Sequence, residues 1–388
     1  MKILLIGEYS RLHNSLKEGL EKLGHSAVIV STGDSFKNYT TDYNVAARFT
    51  TKPGSILLLK RVLYKIFKLD ITAVERAWRF NKILPLLKGF DYVQLINSDA
   101  LELPPWLAKK LYKKLFNQNG PLSLLVCGDD TPVVEYALED KLRYSVLTPY
   151  LQDKSLMPHF LFTLKYTTKP YRDLFKFVSE KAQAIITSDL DYEIPMQAMG
   201  YTTRFIPNPV NTDTIQYSEQ ETDTRIVIFL GINRLSYFKK GIHFFEEALK
   251  IVKEKHPEKA EIIIAENLPY KDYIDSYNRA HIVLDQVYAY DQGYNALEAM
   301  AKGKVVFTGA EKEFTKHYNL TEPVAVNALP NAQAIAKELL YFIEHPEEIK
   351  AIGWRARAFI EREHNYIKVA SAYLEAWKQA NQMHEYKN

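Results

Sequence analysis

The stretch Tyr290-Asp-Gln-Gly-Tyr-Asn-Ala-Leu-Glu298-Ala-Met-Ala-Lys-Gly-Lys-Val-Val306 decides the fold predicted for this chain. Gly293 permits a tight turn, and the helical pattern after it begins with N–H groups that have no partner within the helix and can hold an anion. Glu298 lies about one turn further along, where its carboxylate can accept hydrogen bonds from ribose or sugar hydroxyl groups. An apolar run then predicts a strand. The segment indicates a nucleotide-sugar site, although an ordinary strand-turn-helix with a solvated Glu298 has the same pattern.

A second informative segment lies upstream, where Arg225-Ile-Val-Ile-Phe-Leu-Gly231 predicts a buried strand and a helical pattern starts at Ile242. A guanidinium group is a planar fork of donors and an ammonium group is a mobile point charge, and both suit a diphosphate. A basic loop alone is usually solvated, but this loop lies in the same predicted half as the Gly293 turn. Its polar residues are Asn233, Arg234, Lys239 and Lys240.

Apolar runs alternate with helical patterns, which predicts parallel sheets joined by crossover helices. The expected fold class is α/β, with two doubly wound Rossmann-like domains that face each other across a cleft. We assign residues 1–206 to the first domain, 207–365 to the second, and 366–388 to a helix that packs back toward the first. Ligands of such sheets bind outside the carboxyl ends of the strands, so the cleft is the predicted site. The predicted strands are 2–6, 27–31, 92–97, 122–127, 184–188, 204–206, 225–230, 261–265, 281–286, 305–308 and 324–327.

The order of these parts resembles the GT-B glycosyltransferases of the family 4 type. Their second half typically has an Arg-x-x-x-x-Lys-Gly loop, which Arg234 and Lys239 or Lys240 match, and Lys240 directly precedes Gly241. Later come two Glu residues separated by seven residues, the second followed by Ala-Met, and Glu298 matches this second Glu. The likeness extends to the first half of the chain only in outline.

This resemblance implies an enzyme that takes a sugar from a nucleoside-diphosphate donor, retains the anomeric configuration, and needs no metal ion or other cofactor. Arg234 and Lys240 would stabilise the charge that develops on the departing diphosphate, and N–H groups near Tyr294 and Asn295 would assist. Glu298 would bind the ribose hydroxyl groups. The complete predicted donor site is Gly7, Asn233, Arg234, Lys239, Lys240, Gly293, Tyr294, Asn295 and Glu298.

The chain departs from the family pattern at the first Glu of the pair, which in the family contacts the donor sugar. That position is Tyr290, and Asp291 is the nearest carboxylate. Asp291 is therefore a candidate catalytic residue that substitutes for the first Glu through a shifted backbone.

The first domain adds candidates at the ends of its predicted strands. Gly7, Ser10 and Arg11 lie in the loop after the first strand. Asp129 and Asp130 follow a later buried strand, where one of them could orient the acceptor hydroxyl or act as a base, since adjacent like charges raise a pKa. A turn-forming or helix-capping Asp fits the same pattern, and both interpretations stay open.

Charge is unevenly distributed along the chain. Residues 1–205 contain 28 Lys and Arg against 21 Asp and Glu, whereas residues 206–388 contain 22 against 26. Much of the excess lies in two predicted basic amphipathic helices, 59–68 and 105–117. Such helices contact anionic membrane surfaces or simply pack their apolar stripe in the core, and both remain possible. No nucleic-acid-binding module is legible.

Several other classes of protein find no support. The histidines form no zinc pattern, and neither a Walker loop nor a dinucleotide-binding fingerprint is present. Cys127 alone cannot form an internal disulfide, and the start of the chain reads as a strand rather than a signal peptide. We therefore expect a cytoplasmic protein, at most attached to the inner face of the plasma membrane.

The predicted function is glycosyl transfer from a nucleotide sugar to a saccharide or lipid-linked acceptor, in the synthesis of cell-surface polysaccharide or glycolipid. One alternative is a catalytically inactive GT-B-shaped protein that binds nucleotides or serves as a scaffold, because the first Glu is absent. Another alternative is a nucleotide-sugar epimerase of similar shape.

Overall fold

The computed structural model describes residues 1–34, 39–51, 70–222, 225–266 and 270–385. These residues form two parallel sheets flanked by helices, so the α/β fold class with two doubly wound halves is confirmed. The predicted basic helix 59–68 lies outside the described residues.

In the described residues, the first half contains a seven-stranded sheet. Its strands are β1 Lys2–Ile6, β2 Ser26–Ser31, β3 Tyr43–Asn44, β4 Tyr92–Leu95, β5 Leu122–Val126, β6 Ala182–Thr187 and β7 Arg204–Phe205. The order across the sheet is β3-β2-β1-β4-β5-β6-β7. The strand order thus runs outward from β1 to β3 on one side and from β4 to β7 on the other. The crevice at the carboxyl ends of β1 and β4 is therefore a topological switch point.

The helices of this half cover both faces of the sheet. They are α1 Leu12–Lys22, α2 Ile71–Ile83, α3 Pro105–Asn117, α4 Thr131–Leu138, α5 Thr148–Gln152, α6 Met157–Leu164, α7 Lys169–Lys181 and α8 Leu190–Ala198. The central strands are buried along nearly their whole length, as expected for parallel strands covered on both faces.

The second half contains a five-stranded sheet in the described residues. Its strands are β8 Ile226–Ile232, β9 Ala260–Glu266, β10 Ile282–Leu284, β11 Val305–Thr308 and β12 Val326–Asn327, in the order β12-β11-β10-β8-β9. The switch point lies between β8 and β10. The helices are α9 Ile242–Lys255, α10 Tyr270–Arg279, α11 Tyr294–Ala301, α12 Lys312–His317, α13 Ala332–Glu344, α14 Pro346–Glu363 and α15 Tyr366–Glu385.

Helix α15 packs against the first half, although it follows the second half in the chain. Tyr373 and Trp377 belong to the core around the seven-stranded sheet, and Trp377 stacks on Tyr92 with ring centroids 5.7 Å apart. Gly19 of α1 permits this packing, because a Cβ atom there would lie 2.3 Å from the carbonyl oxygen of Tyr366.

The predicted helix 105–117 is present as α3, and its apolar side is part of the core. Ala108, Leu111, Tyr112 and Leu115 are buried there. No helix in the described parts of the chain is long and apolar enough to cross a membrane.

Candidate functional site

The loops at the carboxyl ends of the two sheets contact each other directly. Ser15 of α1 and Tyr294 at the start of α11 share a hydrogen bond of 2.6 Å between their hydroxyl groups. Lys239 donates to Asp129 across the same boundary, with 2.8 Å between Nζ and Oδ2. The switch points of both sheets therefore open onto one shared cleft.

Lys240 lies at the switch point of the second sheet. Its Nζ is 2.7 Å from Oδ1 of Asp285, which directly follows β10 and is buried. The backbone fixes this position: the carbonyl of Lys240 accepts from the N–H of Val287 at 3.0 Å, and Gly241 has the positive φ of 65° that the turn requires. A partly exposed ammonium group is thereby held at the end of β10.

The predicted anion site at the start of α11 lies beside this pair. Gly293 is the N-cap residue in extended conformation, and a Cβ atom built on it would be 3.9 Å from Oδ2 of Asp285. Asn295 is exposed and Glu298 is half-buried one turn into the helix. The structure thus brings Lys240, Gly293, Tyr294 and Glu298 together, four of the predicted donor residues.

Arg234 and Asn233 are placed differently. The Arg234 guanidinium forms a fork with Glu266 at the end of β9, with distances of 2.6 and 2.5 Å, and 55% of its side chain is exposed. Asn233 accepts from the N–H of Leu235 and caps a short 3-10 turn. Arg234 and Lys240 therefore bind different carboxylates, on opposite sides of β8.

Asp129 is the cleft-facing member of the Asp129-Asp130 pair. It accepts from Lys239 and, at 2.5 Å, from the hydroxyl of Thr163 in α6. Burial alone would raise its pKa, but Lys239 and Thr163 outweigh burial and the pKa is lowered. Asp129 therefore stays ionised.

Asp130 takes the capping role that the sequence left open. Its side chain accepts from the N–H of Thr131 at the start of α4, and from the N–H and hydroxyl of Ser98 at 2.8 and 2.7 Å. The side chain is fully buried, and burial raises its pKa to about 6. Asp130 joins the ends of β4 and β5, and two of these three hydrogen bonds come from backbone N–H groups.

Asp291, the predicted substitute for the missing Glu, lies at a buried junction between the halves. Its Oδ2 accepts from the N–H of Leu190, and Asp191 accepts in turn from the N–H groups of Tyr290 and Asp291, at 3.0 to 3.2 Å. Burial raises the pKa of Asp291, Asp191 and the neighbouring Asp189. Within the described ranges, no group of His, Cys, Asp or Glu side chains has an arrangement that could hold a metal ion.

The loop after β1 contains a candidate that sequence reasoning missed. Gly7 has φ of 90°, and a Cβ atom there would lie 2.3 Å from Cγ2 of Ile96, so the loop needs glycine. Glu8 directly follows, is 2% exposed, and burial raises its pKa to about 7. The only sequence signal was its position, an acid next to a glycine at the end of the first strand.

Ser10 and Arg11 complete this loop. Both have positive φ, and the N–H of Ser10 donates to Asp34 at 2.9 Å. Arg11 pairs with Glu18 at 2.6 Å, and Glu18 also accepts from Asn211 of the second half.

Comparison with known proteins agrees with this architecture. Residues 240–375 match the family model described as glycosyl transferase-like. Sucrose-phosphate synthase from Thermosynechococcus elongatus superposes with a TM-score of 0.61 at 15% identity, over 99% of this chain and 100% of that one. HepE from Anabaena in complex with UDP and glucose superposes with a TM-score of 0.59 at 13% identity, over 98% and 100%.

A third similar structure represents one of the predicted alternatives. UDP-GlcNAc 2-epimerase from Neisseria meningitidis bound to UDP-GlcNAc superposes with a TM-score of 0.51 at 13% identity, over 98% of this chain and 100% of that one. A search of curated protein sequences gives no match.

The two doubly wound halves face each other, and the chain superposes on the structures named above. These features define the GT-B fold, the class that the sequence predicted. Residues 240–375 match the family model described as glycosyl transferase-like. The resemblance to GT-B glycosyltransferases is confirmed, whereas the comparisons do not single out family 4.

Proposed function

We propose that this protein transfers a sugar from a nucleoside-diphosphate sugar to a hydroxyl group of a saccharide or lipid-linked acceptor, in the synthesis of cell-surface polysaccharide or glycolipid. The observation that carries the proposal is the position of Lys240. Its ammonium group lies at the switch point of the second sheet, beside the open start of α11, and Glu298 lies one helical turn further along that helix. A positive charge beside the N–H groups at the start of a helix is a combination that suits a diphosphate.

In this proposal, the enzyme accelerates the reaction by stabilising the negative charge that develops on the departing diphosphate. Lys240 would exchange Asp285 for a phosphate oxygen, and the N–H groups of Tyr294 and Asn295 would donate to the same group. Glu298 would accept hydrogen bonds from the ribose. Arg234 would join only after releasing Glu266, so we assign the larger share of the charge stabilisation to Lys240.

The acceptor would enter from the side of the first half. Asp129 is ionised and close to the cleft, so it is suited to accept a hydrogen bond from the attacking hydroxyl once Lys239 turns to the donor. Lys239 would thus respond to both substrates. We further propose retention of the anomeric configuration and chemistry without a metal ion.

The first test measures the thermal stability of the protein with UDP, GDP, ADP, CMP and dTDP. A ligand that binds only the folded state raises stability, by about 2.7 kcal/mol at a hundredfold excess over Kd. We expect one nucleoside diphosphate to stabilise the wild type, and Lys240→Ala to weaken this binding at least tenfold. Lys253→Ala, an exposed lysine of α9, serves as the matched control and keeps the response.

Absence of any nucleotide response, or an undiminished response in Lys240→Ala, would contradict the proposal. The likeness to UDP-GlcNAc 2-epimerase favours epimerisation as the second candidate function. Product analysis separates the two: transfer consumes an acceptor and releases the nucleoside diphosphate, whereas an epimerase gives an altered nucleotide sugar without any acceptor.

Peripheral contact with an anionic membrane is the last part of the proposal. Because the apolar side of α3 is buried in the core, the contact would use its outer side. Lys110, Lys113 and Lys114 are exposed there, and Trp106 at the start of the helix is 64% exposed. Exposed lysines attract anionic lipid head groups, and tryptophan prefers the membrane–water interface.

A further inference from the structure

The second half lacks a carboxylate where the family resemblance places the contact with the donor sugar. Tyr290 occupies this position, is 3% exposed, and accepts through its hydroxyl from the N–H of Arg143 at 2.9 Å. The neighbouring Asp291 is bonded to backbone at the buried junction. The donor sugar of the proposed reaction therefore needs a different polar partner.

Glu8 has a carboxylate whose two oxygen atoms differ sharply in their hydrogen bonding. Oε2 accepts from the N–H and the side-chain amide of Asn14, at 2.8 and 2.6 Å, and so satisfies the first turn of α1. Oε1 is buried and has no hydrogen-bond partner among the described residues, although the N–H of His13 is close enough to the carboxylate to lower its pKa. A buried oxygen of this kind normally costs a protein stability, which points to a partner that binds later.

The surroundings of Glu8 place it on the donor side of the cleft. Tyr294, the first residue of α11, is buried, and after burial the charges of Glu298 and Glu8 both raise its pKa. Tyr39 shows the same pattern, with burial first, then Glu298, Asp34 and Glu8. The charges of Glu8 and Glu298 therefore both act on the phenol group of Tyr39 in the first half and on that of Tyr294 in the second half.

The packing around this loop fixes the backbone next to Glu8. Gly7 cannot carry a side chain because Ile96 and Ala100 fill the space behind it. Ser15, one turn along α1 from Leu12, is bonded to Tyr294 across the cleft. Glu8 thus lies between the switch point of the first sheet and the start of α11.

We propose that Oε1 of Glu8 accepts a hydrogen bond from a hydroxyl group of the donor sugar, so that the first half supplies the carboxylate that Tyr290 replaces in the second. Glu8 is then a specificity-determining residue for the sugar and not for the nucleotide. The inference rests on the proposed function, and it assigns the sugar subsite within it.

The experiment compares the affinity for a nucleoside diphosphate with that for its hexose conjugate. The probes are UDP and UDP-glucose, together with GDP and GDP-mannose, ADP and ADP-glucose, and dTDP and dTDP-glucose, measured by calorimetry. The measurements are made at pH 8, above the raised pKa of about 7 for Glu8, so that the wild-type carboxylate is ionised. In the variant Glu8→Gln, an amide replaces the carboxylate, so the sugar hydroxyl loses a charged acceptor. We expect roughly tenfold weaker binding of the conjugate, with the Kd of the diphosphate changed less than twofold.

Asn14→Ala is the matched control for a purely structural role. It removes the amide that bonds to Oε2 and leaves the Glu8 carboxylate in place, so the unfolding midpoint falls while the ratio of the two affinities is preserved. If Glu8→Gln does not fold, Glu8→Asp is measured in the same way, because it keeps the charge but withdraws it by one methylene group.

The outcomes separate this inference from the proposed function. Equal loss of diphosphate and conjugate in the Glu8 variant, or no loss of either, overturns the role of Glu8 while the glycosyltransferase proposal stands. Failure of the wild type to bind any of these nucleoside diphosphates and conjugates overturns both.

Discussion

At the scale of single residues, Glu75 shows how a carboxylate can organise the chain around it. Oε1 accepts from the N–H groups of Arg48 and Phe49 at 2.7 and 3.0 Å, and Oε2 accepts from the N–H and hydroxyl of Thr50 at 2.8 and 2.7 Å. Burial alone would raise the pKa of Glu75, but these donors together lower it to about 2. The ionised carboxylate therefore anchors the loop over residues 48–50.

Replacement of Glu75 tests this anchor. A carboxylate with a lowered pKa stabilises the folded state above its unfolded pKa near 4.5, and the stabilisation is lost as the pH falls through the folded value near 2. We expect Glu75→Gln to lower the free energy of unfolding by about 1–3 kcal/mol at pH 7. Urea unfolding at pH 7, 4 and 3 measures the difference from wild type, which should shrink toward low pH.

Glu254→Gln, an exposed glutamate of α9, is the control and should change little at any of these values. A Glu75→Gln difference that is absent at pH 7, or that grows toward pH 3, would show that the carboxylate does not anchor the loop.

The site residues differ in how far the sequence could reveal their roles. Lys240 and Glu298 follow from local motifs, because the loop and helix that carry them are contiguous in sequence. The roles of Asp129 and Asp130 were indistinguishable, since the choice depends on Ser98 of a neighbouring strand and Lys239 of the other half. Glu8 was missed because an unpartnered oxygen is a property of packing and leaves no pattern in the sequence.

At the scale of secondary structure elements, hydrophobic periodicity predicts that a strand or helix exists better than it predicts what packs around that element. The central strands were predicted within a few residues, because parallel strands buried on both faces are continuous apolar runs. Strand β3 was not predicted, since Tyr43–Asn44 is only two residues long and pairs with the edge of β2. The apolar stripe of α3 was visible, but the pattern left packing in the core and contact with a membrane both open.

Helix α3 also carries the membrane prediction. Replacement of Lys109, Lys110, Lys113 and Lys114 by Gln should reduce the fraction of protein that sediments with liposomes containing anionic lipid, because each cation near the surface adds about 1 kcal/mol of attraction. The apolar side of α3 is unchanged, so the unfolding midpoint should stay near that of wild type. The effect should weaken as the salt concentration rises.

The control replaces Lys250, Lys253, Lys255 and Lys259 of the second half by Gln. Equal sedimentation of both variants and wild type would remove membrane contact through α3 from the proposal.

At the scale of the whole molecule, a buried acidic junction joins the two halves. Asp189 caps α8, Asp191 accepts from the N–H groups of residues 290 and 291, and Asp291 accepts from that of Leu190. Burial comes first among the causes that raise the three pKa values, and the mutual repulsion of the carboxylates adds to the rise for Asp189 and Asp191. Ionisation at this junction therefore opposes the contact between the halves.

The pH dependence of the junction follows from the sign of these shifts. A carboxyl group whose pKa is higher in the folded than in the unfolded state destabilises the fold as the pH rises through that range. Asp189→Asn keeps an oxygen that can cap α8 and removes one charge. We expect the stability advantage of this variant over wild type to be about 1 kcal/mol larger at pH 8 than at pH 5, measured by thermal unfolding at both values.

Asp153→Asn is the matched control, because Asp153 also caps a short helical turn but is exposed and has a lowered pKa. Its difference from wild type should be the same at pH 5 and pH 8. A pH-independent effect of Asp189→Asn would show that the junction carboxyl groups do not titrate in this range.

The return of α15 to the first half constrains the order in which the protein can fold on the ribosome. Tyr373 and Trp377 fill the core of a sheet whose strands are all synthesised before the second half begins. That core stays incomplete until translation has passed through the entire five-stranded half, so the nascent first half exposes apolar surface meanwhile. The first half therefore cannot finish folding until the second half has been synthesised. A nascent chain whose translation stalls between the two halves would be a substrate for chaperones.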